Sequence, residues 1–273
     1  MKKVLIVTLL MISLLIAPKA FAHELFIQVK EDQTSNELQV DVLWGHLRDF
    51  IDQGNPDNYE LFVKLPNGQT KQLEMERIGV QARAFIPASE TGQYVFWAMR
   101  KPSTYTPGDE PTRLSLQRAK TVYHVGSGDN ITNHPVGLDL EIIPETNLAI
   151  FNQGLLKGNV LFEGNPQSNV TVTAYGPAGE HFEGVTGADG AFEFNLRSNG
   201  EWLIKASFQT DESGTLDDTD YELTGRTTTL IFDNSYPIAN ENNYENPLMY
   251  IAVLLIGLLL GSAFTFLILK RKK

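Results

Sequence analysis

The chain has 273 residues, 42% of them hydrophobic, no cysteine, and 33 acids against 22 lysines and arginines. The absence of cysteine excludes disulfides, thiolate metal sites and lipid attachment through cysteine, so any metal must be held by nitrogen and oxygen. A net charge of −11 argues against nucleic acid and anionic headgroups as partners.

In chain order, a cationic start (Lys2, Lys3), an apolar run from Val4 to Ile16 and an Ala20-Phe21-Ala22 terminus have the layout of a secretory signal peptide over residues 1–22. Cleavage after Ala22 makes His23 the first residue. Its α-amine and an imidazole nitrogen then sit on one residue and can close a chelate on a transition metal. The amine titrates near pH 8, so the metal displaces only a weakly held proton.

The region that follows is read as all-β. His23, Leu25, Ile27 and Val29 share one parity, and Leu38, Val40, Val42, Trp44 and His46 share another. A polar loop separates the two runs. Pairing Lys30 with Glu37 puts every apolar residue on one face, with His23 opposite Trp44 and His46 diagonal to His23. Diagonal neighbours lie about 7–8 Å apart, a span that two imidazoles can bridge through one metal. Arg48 to Asn58 reads as an irregular loop. Hairpins and strands follow over 60–73, 84–86, 93–99 and 115–124, with a proline-rich loop between Lys101 and Thr112. Leu140-Glu141-Ile142-Ile143-Pro144 reads as the strand that ends the first module, with Glu141 either an outward carboxylate on an edge strand or a ligand beside the histidines. From Leu156 onward, turns such as Ala188-Asp189-Gly190 and Asn199-Gly200 separate short alternating strands, the pattern of a small β-sandwich, and the acidic stretch from Asp211 to Glu222 reads as a solvated loop.

The expected organisation is therefore a signal peptide (1–22), an N-terminal β-domain (23–150), an immunoglobulin-like β-sandwich (151–232), a linker (233–247), a transmembrane helix (248–269) and a cytoplasmic tail (270–273). The apolar stretch from Leu248 to Leu269 is long enough, at about 33 Å as a helix, to cross a bilayer. Lys270-Arg271-Lys272-Lys273 directly after it places the C-terminus in the cytoplasm and the β-region outside. Setting aside those four residues with Lys2, Lys3 and Lys19 leaves 15 of the 22 cations against all 33 acids, so the exported part carries −18.

Several of these segments resemble a known family. His23-Glu24-Leu25-Phe26, Trp44-Gly45-His46 and Leu140 to Pro144 occur in matching order, followed by Gly158-x-Val160, Val170-x-Val172-x-Ala174, Asp189-Gly190-x-Phe192-x-Phe194 and Gly200-x-Trp202-x-Ile204. Together they resemble the periplasmic accessory subunits of nickel and cobalt uptake transporters of the energy-coupling-factor type, a family often described as a domain of unknown function. The second half is also similar to carboxypeptidase-regulatory-like and immunoglobulin-like modules. The resemblance implies binding of Ni²⁺ or Co²⁺, with His23 and His46 at the family's histidine positions and Glu141 at its acidic one. It implies a membrane permease as partner. His124 and His134 are further nitrogen donors near the end of the first module, whereas His181 reads as a surface residue.

The function expected on this reading is non-enzymatic: a membrane-anchored extracytoplasmic protein that binds the metal and passes it to a permease. Two alternatives stand beside it. An N-terminal histidine with a second histidine also makes a copper brace, in a Cu²⁺-binding protein or an oxygen-activating enzyme, and a structural β-sandwich needs no metal. No Ser-His-Asp arrangement, phosphate loop or HExxH helix supports a hydrolase.

Overall fold

The computed structural model describes residues 23–235 apart from positions 33, 48 and 127. The expected signal peptide, membrane helix and tail lie outside the described residues, and among those described no helix is long and apolar enough to cross a membrane.

The described chain is all-β. Its first strands are β1 (Glu24–Asp32), β2 (Glu37–His46), β3 (Phe50–Asp52), β4 (Tyr59–Lys64), β5 (Thr70–Leu73), β6 (Glu76–Ile78) and β7 (Gln81–Pro87). Next come β8 (Gly92–Arg100), β9 (Ser103–Tyr105), β10 (Arg113–Val125), β11 (Leu140–Pro144), β12 (Gly154–Phe162), β13 (Asn165–Pro166) and β14 (Thr171–Tyr175). The last are β15 (His181–Val185), β16 (Ala191–Leu196), β17 (Glu201–Thr210), β18 (Gly214–Leu216), β19 (Thr219–Tyr221) and β20 (Leu223–Asp233).

A nine-stranded sheet in the order β15-β14-β17-β20-β10-β8-β4-β5, with β9 beside β10, runs through both halves of the sequence. Its seam is the parallel pairing of β10 with β20, from Arg113 opposite Leu223 to Thr121 opposite Ile231. The boundary expected near residue 150 therefore does not interrupt this sheet. The apolar cores do separate. One gathers Leu25, Ile27, Val40 and Val42 against Leu61, Phe96 and Ala119. The other gathers Leu140, Ile142, Val160 and Phe194 against Val172, Trp202 and Leu230. Alternation along β10 explains how one strand serves both: Ala119 points to the first core and Val122 to the second.

The structure departs from the sequence pattern at three places. The strand Leu140 to Pro144 does not close the first module, because β11 pairs with β12 and fills the second core. The stretch from Arg48 to Asn58 is not wholly irregular: it contains β3 and a single 3₁₀ turn at Pro56–Asn58 capped by the Asn55 side chain. The acidic stretch from Asp211 to Glu222, expected as a solvated loop, holds the small β18–β19 hairpin.

The start of β1 is fixed from both sides. Leu25 and Ile27 enter the first core, while Phe26 packs with Leu43, Leu203 and Ile231 in a separate cluster. The Thr229 hydroxyl donates to the Leu25 carbonyl at 2.6 Å, tying this segment to β20 of the long sheet. His23 thus precedes a segment whose next residues are held on both faces.

Candidate functional site

The β1–β2 register brings the two histidines together. Lys30 pairs with Gln39 and Leu25 with Trp44, two residues displaced from the expected pairing of Lys30 with Glu37. A two-residue slip keeps every side chain on its face, so the apolar alternation does not discriminate between the registers. Extended by one position, the observed register puts His23 directly opposite His46 rather than diagonal to it. The ring centroids are 4.8 Å apart and tilted by 41°, with the Trp44 ring stacked on His23 at 5.5 Å.

Gly45 explains the glycine before His46. Its φ is +149°, and a Cβ there would lie 2.3 Å from the Phe50 carbonyl oxygen of β3, which pairs back onto β2. Gly45→Ala must push β3 away and rotate His46. The expected cost is about 1–3 kcal/mol of stability, checked by urea unfolding of the variant beside its parent.

Charged groups frame the pair. His23 Nε2 is 2.6 Å from Asp52 Oδ2, but without the alignment of a hydrogen bond. His46 Nδ1 is 3.8 Å from Glu24 Oε2, and Glu24 Oε1 accepts from the Lys205 ammonium at 2.8 Å. Burial works to lower the Lys205 pKa, yet Glu24 and Tyr175 outweigh it and the net shift is upward, so Lys205 is a fixed cation. Removal of residues 1–22 would give the site an amine and an imidazole from His23 and a second imidazole from His46, a donor set that would suit nickel, cobalt or copper. Among the described residues no group of three or more His, Asp or Glu side chains is placed to hold a metal ion.

The other candidate ligands lie elsewhere. Glu141 is neither an outward carboxylate nor a neighbour of the histidine pair. It is 1% exposed, accepts from the Lys120 ammonium at 2.8 Å, and accepts from the backbone amides of Val136, Gly137 and Leu138. His134 is exposed on the loop before β11. His124 lies near the C-terminal end of β10, opposite Gln93. Burial pushes its imidazole down from 6.5 to about 4.

The His124 shift gives a pH prediction. The unfolded chain binds the proton below about pH 6.5 and the folded chain only below about 4, so stability falls as pH drops through that window and is flat outside it. His124→Gln is expected to match the parent at pH 7.5 and to remove about 2 kcal/mol of the loss between pH 7 and pH 5. Urea unfolding at the two pH values checks this.

One feature was not visible in the sequence. A cavity of about 860 Å³ opens beside His23, bounded by Trp44 and by residues of β9, β10, β14, β17 and β20. Arg100, Arg113 and Arg226 line it, and no Asp or Glu does. The Arg100 guanidinium lies 4.5 Å from the Trp44 ring centroid, linking the cavity to the histidine pair. Trp44 is a half-buried wall of this cavity, whereas Trp97 and Trp202 are buried.

The sequence model of DUF4198, a domain of unknown function, matches residues 20–210. The chain belongs to this family. The DUF4198 match begins just before His23 and takes in β1 to β17. No curated protein matches the sequence. Solved structures similar to the DUF4198 chain include a Ca²⁺-stabilized adhesin with which an Antarctic bacterium binds ice, at 11% identity and a TM-score of 0.21, covering 76% of this chain and 48% of that one. Fibronectin(III)-like modules of CbhA from Clostridium thermocellum match at 10% identity and a TM-score of 0.20, covering 76% and 95%. The BSP domain of a biofilm associated protein matches at 12% and 0.18, covering 77% and 30%. The chain spans about half the length of the first of these structures.

Proposed function

We propose that this DUF4198 protein is an extracytoplasmic metal-binding accessory protein of a nickel or cobalt uptake transporter. The observation that carries the reading is the pair of facing imidazoles at 4.8 Å, one of them on the residue that signal cleavage would make N-terminal. His23 holds the ion through amine and imidazole and His46 adds a second imidazole. Asp52 and Glu24 supply negative charge beside the ring nitrogens at 2.6 and 3.8 Å. The ion is cargo, and the role of the chain is to bind it and release it without chemistry.

The apolar stretch at 248–269 anchors the domain in the cell membrane with its C-terminus cytoplasmic. Anchoring keeps it beside a membrane permease and raises effective concentration without a tight interface. The exported charge of −18 raises the local concentration of cations.

The same donor set favours copper as a second reading, since an N-terminal chelate with one more imidazole suits Cu²⁺, either bound or as an oxygen-activating brace. Calorimetric titration of the processed full-length chain with Ni²⁺, Co²⁺ and Cu²⁺ tests the proposal. Saturable binding of one nickel or cobalt per chain supports uptake. Selective copper binding with peroxide-driven oxidation supports the brace, and no binding of any of the three leaves a structural β-protein.

A further inference from the structure

The cavity beside His23 has the wrong charge and size for a bare metal ion. A divalent ion with six waters displaces about 200 Å³, against a cavity of about 860 Å³, which falls in the usual range for small organic ligands. In an acidic protein its lining carries three arginines and no carboxylate. Arg100 has no carboxylate partner among the described residues, whereas Arg113 pairs with Glu110, and Arg226 with Glu212 at 2.6 Å and Asp139 at 3.7 Å; the buried Nε atoms of Arg113 and Arg226 have no hydrogen-bond acceptor. Gln117 is 7% exposed, donates to Ser115 at 3.0 Å, and leaves its buried Oε1 without a donor. This is an environment for an anion with several oxygens and a hydroxyl.

The histidine pair has the opposite shortfall. Two imidazoles and one amine fill three positions of a nickel or cobalt ion that commonly takes more, and no further described side chain is placed to complete the set. We propose that the missing donors come from the cargo itself: the protein takes the metal as a chelate with a small hydroxy-polycarboxylate. Carboxylates of the chelator fill the open metal positions beside His23, and its outer oxygens pair with Arg100, Arg113 and Arg226. Planar guanidinium forks match carboxylates in geometry and charge. Trp44 lines the same cavity, stacked on the His23 ring and beside the Arg100 guanidinium. The inference rests on the metal-binding reading above and adds the chemical form in which the metal arrives.

Equilibrium dialysis of the processed full-length chain in detergent, against radiolabelled nickel chloride, labelled citrate, or both, tests it. The expected result is co-retention of nickel and citrate at one each per chain, far above retention of either alone. Arg113→Met keeps the aliphatic stem and removes the fork, and is expected to weaken co-retention at least about tenfold with an unchanged unfolding midpoint. Arg100→Met provides a second, independent removal of charge should the first variant not fold. Nickel retained without citrate, at an affinity indifferent to both variants, overturns the chelate while leaving the metal reading intact. Citrate retained without nickel overturns it too, and retention of neither removes the metal reading with it.

Discussion

A single alanine placed ahead of His23 is expected to lower nickel affinity by at least about 100-fold, because changes in groups that merely orient metal ligands already cost 10–100-fold. The extension converts the α-amine into an amide, which does not bind metal at neutral pH without losing its proton. It also breaks the chelate while leaving the His23 ring in place. Nothing in the packing of the domain depends on the amine. β1 is held by Leu25, Phe26 and Ile27 and by the bond from Thr229 to the Leu25 carbonyl, so the extended chain should unfold at the same denaturant concentration as its parent. His46→Ala removes the second imidazole and should produce a loss of similar order. Titration with nickel, alongside a urea melt of each variant, separates loss of a ligand from loss of fold. Unchanged affinity in the extended chain would place the metal elsewhere.

The second large effect concerns stability. Lys120 and Glu141 form an ion pair whose members are each 1% exposed, 2.8 Å apart, between β10 of the long sheet and β11 of the second core. Burial drives the Lys120 ammonium below its usual pKa, with Glu141 opposing the shift. Removing one partner strands the other charge in the interior, so Lys120→Met is expected to cost about 3–5 kcal/mol. Glu141→Leu should cost at least as much, since it also releases the amides of Val136, Gly137 and Leu138 that hold the loop before β11. The double replacement should recover part of the loss, because no unpaired charge remains. Urea unfolding of the two single variants and the double variant closes this cycle. Nickel affinity should be untouched in any variant that folds, which distinguishes a structural Glu141 from a metal ligand.

Much of the fold was legible because alternation is a local signal. The strands around Val40, Val172 and Phe194 follow it, whereas Val122, Leu140 and Ile142, expected in the first module, pack in the second core. The β1–β2 register was not fixed by the same signal, because a displacement of two residues preserves every face. The observed pairing brings His23 and His46 closer than the expected one, because the strands continue to Asp32 opposite Glu37 and close through a short turn with Asn36 at φ +55°. Glu141 was misread because all five residues of β11 are buried, so its polar position faces Lys120 instead of solvent. The continuous long sheet was hidden because β10 and β20 meet in parallel across a separation of about 110 residues. The cavity was hidden for the same reason: Arg100, Arg113 and Arg226 share no local pattern, and only the sheet order assembles them.

The central claim is that the metal sits between the leading histidine and His46. A crystal of the processed chain soaked with nickel and measured at the nickel absorption edge addresses it directly. The account predicts one strong anomalous peak within bonding distance of the α-amine and an imidazole nitrogen of His23 and of the His46 ring. A peak on another group of residues, such as the acidic turn at Asp217 and Asp218, with none at His23, would contradict it.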